Sequence, residues 1–176
     1  MKNSYYYLIA SLPMLQFEMK PPFTYSDFLE KCRFELGKED RNILERASTG
    51  PSEDVEDKLP LLKEWKTFDR NLRNELARIR ADKKGKDPAK YLRGSAGFDP
   101  FIAPLAHWAM NQDSPMDGEL HLDKMRWAKM EEIKSGHYFD MEYLVVYCLQ
   151  LQILERWDRI NSGDGMKALK RMAGKI

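Results

Sequence analysis

The sequence predicts an all-α protein: a compact bundle of several helices with a long, largely buried C-terminal helix. Three observations carry this. Residues 140–160 form an apolar-rich run without Pro or Gly, in which Val146, Leu149, Ile153, Trp157 and Ile160 recur at helical spacing. Residues 60–81 place Leu61, Trp65, Phe68, Leu72, Leu76 and Ile79 three or four positions apart, the stripe of an amphipathic helix. The composition, 43% hydrophobic and 32% charged, suits a highly charged folded helical chain and not a disordered one.

At 176 residues the chain is long enough for one helical domain, 1–176, that buries roughly two-thirds of its unfolded surface. Its formal net charge of +1 argues against nucleic-acid binding driven by overall charge. Lys2 precedes an apolar stretch that meets Pro13 early and lacks a small-residue cleavage site, so no signal peptide is predicted and the expected location is cytoplasmic.

The opening SYYYLIASLP carries a dense apolar load that predicts docking, as a strand by composition or as a short helix by its place before Pro13. Pro21 and Pro22 force an extended connection. Thr24 and Asp27 then form a capping box with Asp in place of Glu, opening a helix whose face is Phe28, Cys32 and Leu36 and which Gly37 closes. Glu39 to Ala47 reads as a second short helix, so residues 24–47 form a small helical hairpin packed on the body. Ser48 to Lys58 is an acidic, turn-rich loop.

Pro60 suits the first turn of the long amphipathic helix, whose opposite face bears Lys63, Arg70, Asn74 and Arg78 as a wet or partner-binding side. DKKGKD ends it in a basic linker, and Tyr91 to Pro100 is turn-like. Asp99 caps a short helix through Ala109, with Pro104 implying a bend or a later start. A helix over 119–135 ends at Gly136. The central helix, 140–161, has Asp140 as N-cap and Glu142 as favourable charge in its first turn. Gln150, Gln152 and Glu155 interrupt it well short of the roughly 20 apolar residues of a membrane span. A short terminal helix carries Met166, Leu169 and Met172.

No coherent catalytic set emerges. His107, His121 and His137 start no HExxH pattern and join no cysteine cluster of zinc spacing, so His107 reads as a packed or hydrogen-bonded helix residue and His121 and His137 as structural or surface residues, and neither metal nor cofactor is assigned. The serines lack a GxSxG elbow, and the GSAG at Gly94 to Gly97 lacks both the GxGxxG order and a Walker lysine. Cys32 and Cys148 lie in apolar helical patterns and read as small buried residues, with a disulfide between them as the other reading. Basic clusters at Arg70 to Lys86 and Lys167 to Lys175 leave an RNA-associated helical protein as one alternative, and an unrelated helical adaptor as another.

YYYLIASLPML followed by PPFTYSDFLEKC resembles the start of an uncharacterised bacterial family encoded with A/V-type ATP synthase components. DMEYLVVYCLQLQILERWDRI followed by NSGDG resembles that family's terminal helix and is similar, over the last third of the chain, to the end of the C (d) central-stalk subunit of rotary ATPases. Tyr147, Glu155, Arg156, Arg159, Gly163 and Gly165 lie where the pattern falls. The resemblance implies a helical, non-catalytic subunit or assembly factor of an A/V-type rotary ATP synthase. Its partners would be soluble or peripheral subunits, and it would reach the cytoplasmic face of the membrane only through the complex. The chain is much shorter than the C (d) subunit, so it would supply one helical unit, a reduced equivalent or an accessory factor. Binding energy at such surfaces concentrates in aromatic and arginine side chains, and the candidate interface residues are Tyr5, Tyr6, Tyr7, Arg70, Arg73, Glu155, Arg156 and Arg159.

Overall fold

The computed structural model describes residues 5–51, 57–94 and 100–162, and every regular element among them is helical. In order these are α1 (Tyr6–Ala10), α2 (Tyr25–Glu35), α3 (Lys38–Arg46), α4 (Pro60–Lys83), a 3-10 turn (Pro88–Tyr91), α5 (Ile102–Met110), α6 (Pro115–Lys134) and α7 (Met141–Asn161). The all-α class predicted from the sequence is therefore the class observed. No helix among the described residues is long and apolar enough to cross a membrane. The predicted terminal helix after residue 162, the Asp99 cap and most of the GSAG turn lie outside the described residues.

Two compact units divide the chain: Met1–Thr49 with Lys134–Ile176, and Gly50–Ile133. The first is built on α7. Leu144, Val145, Val146, Cys148, Leu149 and Leu151 are fully buried, so this helix is covered on nearly all sides through its first half. Asp140 caps it as predicted, its Oδ1 accepting the Tyr143 amide at 3.2 Å. The α2–α3 hairpin packs on α7, burying Phe28, Cys32 and Leu44, and the Phe28 ring lies 5.3 Å from that of Tyr147. The Thr24–Asp27 capping box is present in both directions, and the hydrogen bonds from Thr24 hold the Asp27 carboxyl below its ordinary value. Gly37 has a different role from the one predicted. Leu36 ends α2, and Gly37 is the N-cap of α3 in ordinary extended geometry.

In the second unit, Leu72, Leu76 and Ile79 of α4 pack with Ile102, Ala106 and Ala109 of α5 and Leu122 of α6. Pro104 causes no break, because α5 begins at Ile102 and places the proline within the first turn, where backbone N–H groups have no intrahelical acceptor. α6 starts at Pro115, a turn earlier than predicted. Its Gly118 permits the approach to α5, since a Cβ there would sit 2.5 Å from the Ala109 carbonyl oxygen.

Sequence reasoning missed a buried ionic cluster in this unit. Arg126 donates to Asp69 at 3.1 Å and to Asp123 at 2.8 Å, all three side chains being less than a tenth exposed. Burial opposes the guanidinium charge, but the two carboxylates more than compensate and its pKa is raised. Asn74, placed by the sequence on the wet face, is buried. Its side-chain amide donates to the Arg93 carbonyl and accepts the Arg93 amide, both at 3.0 Å, which ties the segment after the 3-10 turn to α4.

Leu72 and Leu151 are both 0% exposed, so Leu72→Ala and Leu151→Ala are each expected to lower the unfolding free energy by about 2–5 kcal/mol in denaturant titrations. A loss below about 1 kcal/mol at either position would contradict the packing described.

Candidate protein-binding surface

The candidate interface residues divide between the two units and between buried and exposed roles. At the start of the chain, α1 is fastened to the loop before α7. The Tyr5 amide donates to the Phe139 carbonyl at 2.8 Å, and the Tyr5 hydroxyl donates to the Asp40 carboxylate at 2.5 Å. Leu8 and Ile9 are buried. Further along, the Tyr147 hydroxyl donates to the Pro13 carbonyl at 3.0 Å, and burial raises its pKa. The opening segment therefore docks, as predicted, and docks as a helix.

That docking leaves an aromatic edge in solvent. The Tyr6 ring stacks on Phe139 with centroids 4.3 Å apart, yet Tyr6 remains 55% exposed. Their chain neighbours Tyr7 and Tyr138 are 91% and 68% exposed. Of the three candidate tyrosines, Tyr5 is thus spent within the unit, while Tyr6 and Tyr7 are presented outward.

The second group, at the end of α7, divides in the same way. Glu155 accepts the Tyr25 amide at 2.9 Å, which places a carboxylate on the first turn of α2, where the helix dipole favours negative charge. One turn earlier, Gln152 donates to the Ala47 carbonyl at 2.8 Å and accepts the Thr49 amide at 3.1 Å, fixing the chain as it leaves α3. Arg156 is half-buried, with its guanidinium 6.0 Å from the Trp157 ring centroid. Arg159 is exposed, and its Nε donates to the Glu155 carbonyl at 3.4 Å. Glu155 is therefore a structural tie, and Arg159 is the member of this group that faces outward. Gly163 and Gly165 lie outside the described residues.

In the other unit, Arg73 pairs with Asp69, extending the buried ionic cluster to the surface. Arg70 is half-buried and lies along Gly94, where an added Cβ would meet its side chain at 3.3 Å. Neither side chain is presented as freely as Tyr7.

Potential metal donors meet at one place among the described residues. His137, Asp140 and Glu142 bring ligand atoms within 4.8 Å of one another, a set of one imidazole and two carboxylates suited to a divalent cation. The same atoms already serve α7: Asp140 Oδ2 lies 2.6 Å from His137 Nδ1 while Oδ1 caps the helix. His121 lies against Trp108 with ring centroids 4.0 Å apart, and burial lowers its pKa. Of the structural and surface roles that the sequence left open for His121, this is the structural one. Cys32 and Cys148 are free and buried, so they form no disulfide.

The structure thus defines a helical protein with exposed aromatic and basic ends on its α7-centred unit. Residues 108–176 match the model of a family described as "Protein of unknown function (DUF2764)". No curated protein and no solved structure matches.

Two predictions follow from the tie and from the cysteines. Glu155→Ala leaves the Tyr25 amide without its acceptor and is expected to cost about 1–2 kcal/mol in urea unfolding. Glu155→Gln retains an acceptor and should cost less, so equal losses would contradict the role assigned. Burial pushes both thiols up to about 12, which disfavours the reactive thiolate. A disulfide reagent should therefore label the native protein slowly and label both cysteines at once in guanidinium. Immediate labelling of either in the native state would contradict their burial.

Proposed function

We propose that this chain is a non-catalytic subunit or assembly factor of an A/V-type rotary ATP synthase, related to the central-stalk C (d) subunit. The observation that carries the reading is the resemblance of two stretches far apart in sequence, the tyrosine-rich opening and the α7 segment. Both belong to the same compact unit and are joined there by the bonds from Tyr5 to Phe139 and from Tyr147 to Pro13. A pair of segments that forms one body is what a shared structural unit requires. Fold alone does not assign function, so the partner is inferred from the resemblance and the binding surface from exposure.

On this reading the chain works by contact. The rigid part is α7 with the hairpin on it, and contact falls to the exposed Tyr6 and Tyr7 at one end and Arg159 at the other. Aromatic and arginine side chains supply large contact area and directional hydrogen bonds, the chemistry that dominates binding hot spots. Membrane association would be indirect, through the assembled complex.

The test is gentle affinity purification of the tagged full chain from its native cell. Rotary ATPase subunits should co-purify in stoichiometric amounts, and Tyr7→Ala combined with Arg159→Glu should reduce their recovery without changing the thermal unfolding midpoint. Recovery of no such subunit, with the ATPase intact in the same extract, would remove the reading and leave an unrelated helical adaptor.

A further inference from the structure

The end of α4 folds back on itself and builds a small basic recess. Gly85 adopts φ +60°, and the turn it makes closes two hydrogen bonds: Lys86 N–H to the Ala81 carbonyl at 2.9 Å and Gly85 N–H to the Asp82 carbonyl at 3.0 Å. This is the Schellman arrangement. It has two consequences. It satisfies carbonyls that would otherwise make a helix C-terminus repel an anion, and it brings Lys86 back beside the last turn of α4.

The other wall is fixed independently. Asp87 caps the 3-10 turn by accepting the Ala89 amide at 3.0 Å, and the Asn74–Arg93 pair of hydrogen bonds holds the following residues against α4. Tyr91 is thereby held across from the helix.

The resulting recess of about 230 Å3 is lined by Ala77, Arg80, Ala81, Lys84, Lys86 and Tyr91. Three cations line it and no carboxylate does. Arg80, Lys84 and Lys86 have no ion-pair partner among the described residues, whereas Arg78 pairs with Glu75, and Lys83 donates to the Met110 carbonyl and the Asn111 side chain. The larger groove between α2 and α3 differs in this respect, because Glu30 and Glu45 accompany its Arg33, Lys38 and Arg41. Like charges gathered on one wall repel, and a polyvalent anion relieves that repulsion with charge-assisted hydrogen bonds. The remaining lining residues, Ala77, Ala81 and Tyr91, contribute two methyl groups and a phenol ring. The space is smaller than the roughly 300–1,000 Å3 of sites for drug-sized ligands.

The geometry points to a binding site for the phosphate and the planar ring of a small phosphate monoester, with AMP as the probe and its ribose left in solvent. The phosphate would sit among Arg80, Lys84 and Lys86, and the ring between Tyr91 and the Ala77–Ala81 surface. This inference does not rest on the rotary ATPase reading, and either can fail without the other.

The test is calorimetric titration of the purified full chain with AMP, adenosine, inorganic phosphate and a single-stranded RNA octamer. AMP should bind in a salt-sensitive manner. Lys84→Gln combined with Lys86→Gln should weaken it by about ten-fold or more, while Lys63→Gln, an exposed charge elsewhere on α4, should not. Tyr91→Ala should weaken AMP and leave inorganic phosphate unchanged, and adenosine should bind far more weakly than AMP. All of these positions except Ala77 and Ala81 are exposed, so unchanged unfolding midpoints would show that the variants are folded. The proposal is overturned by no AMP binding, by AMP binding unaffected in the lysine variant, or by phosphate binding as tightly as AMP. RNA binding orders of magnitude tighter through the same lysines would likewise overturn it, making the recess part of a strand-binding surface.

Discussion

The first unit depends on how α7 satisfies its own polar side chains. A helix buried this completely cannot leave an amide or a carboxylate without a hydrogen-bonding partner, because the loss of water is not otherwise compensated. Tyr147, Gln152 and Glu155 meet that constraint by binding backbone groups at the ends of other segments: the Pro13 carbonyl, the exit of α3 and the first amide of α2. Each contact serves both partners. α7 places its polar groups, and each docked segment gains an acceptor or donor at an end where the helix or loop has none of its own. The helix is therefore a template on which α1, α2 and α3 are positioned, and exposure at Tyr7 and Arg159 is what remains after those positions are filled.

The second unit applies the same principle with charge. Asp69 occupies the apolar register of α4 between Trp65 and Leu72, and α6 presents Arg126 and Asp123 to it. A buried cluster of this kind adds little net stability over an apolar replacement, but it penalises any register in which one member loses its partner. Asn74 acts similarly on a smaller scale through the Arg93 backbone. That clamp also holds the segment forming one wall of the basic recess, so a buried amide on α4 helps to shape a feature at the surface.

Much of the architecture was legible because its causes are local. The stripe from Leu61 to Ile79, Pro60 in the first turn, the Thr24–Asp27 capping box and Asp140 as N-cap each involve residues a few positions apart, and each is found as read. The helical state of α1 was not legible, because five residues carry too little periodicity and the deciding bond reaches from Tyr5 to Phe139. Glu155 was placed at the candidate interface by the resemblance, and Asn74 on the wet face of α4 by its helical position. Their partners, Tyr25 and Arg93, are 130 and 19 positions away, beyond any local pattern. Asp69 was more accessible to reasoning, since its register with Trp65 and Leu72 placed a charge on the buried face and so required a cation opposite it. Of the candidate interface residues, Tyr7 and Arg159 are exposed, whereas Tyr5 is part of the docking itself.

Native-state hydrogen exchange tests the template role of α7 most directly. The amides of residues 145–154 are expected to be the slowest of their unit, and Glu155→Gln is expected to accelerate exchange first at the start of α2 while leaving α7 protected. Exchange in α7 as fast as in α1, or a Glu155→Gln effect spread evenly over the unit, would contradict it.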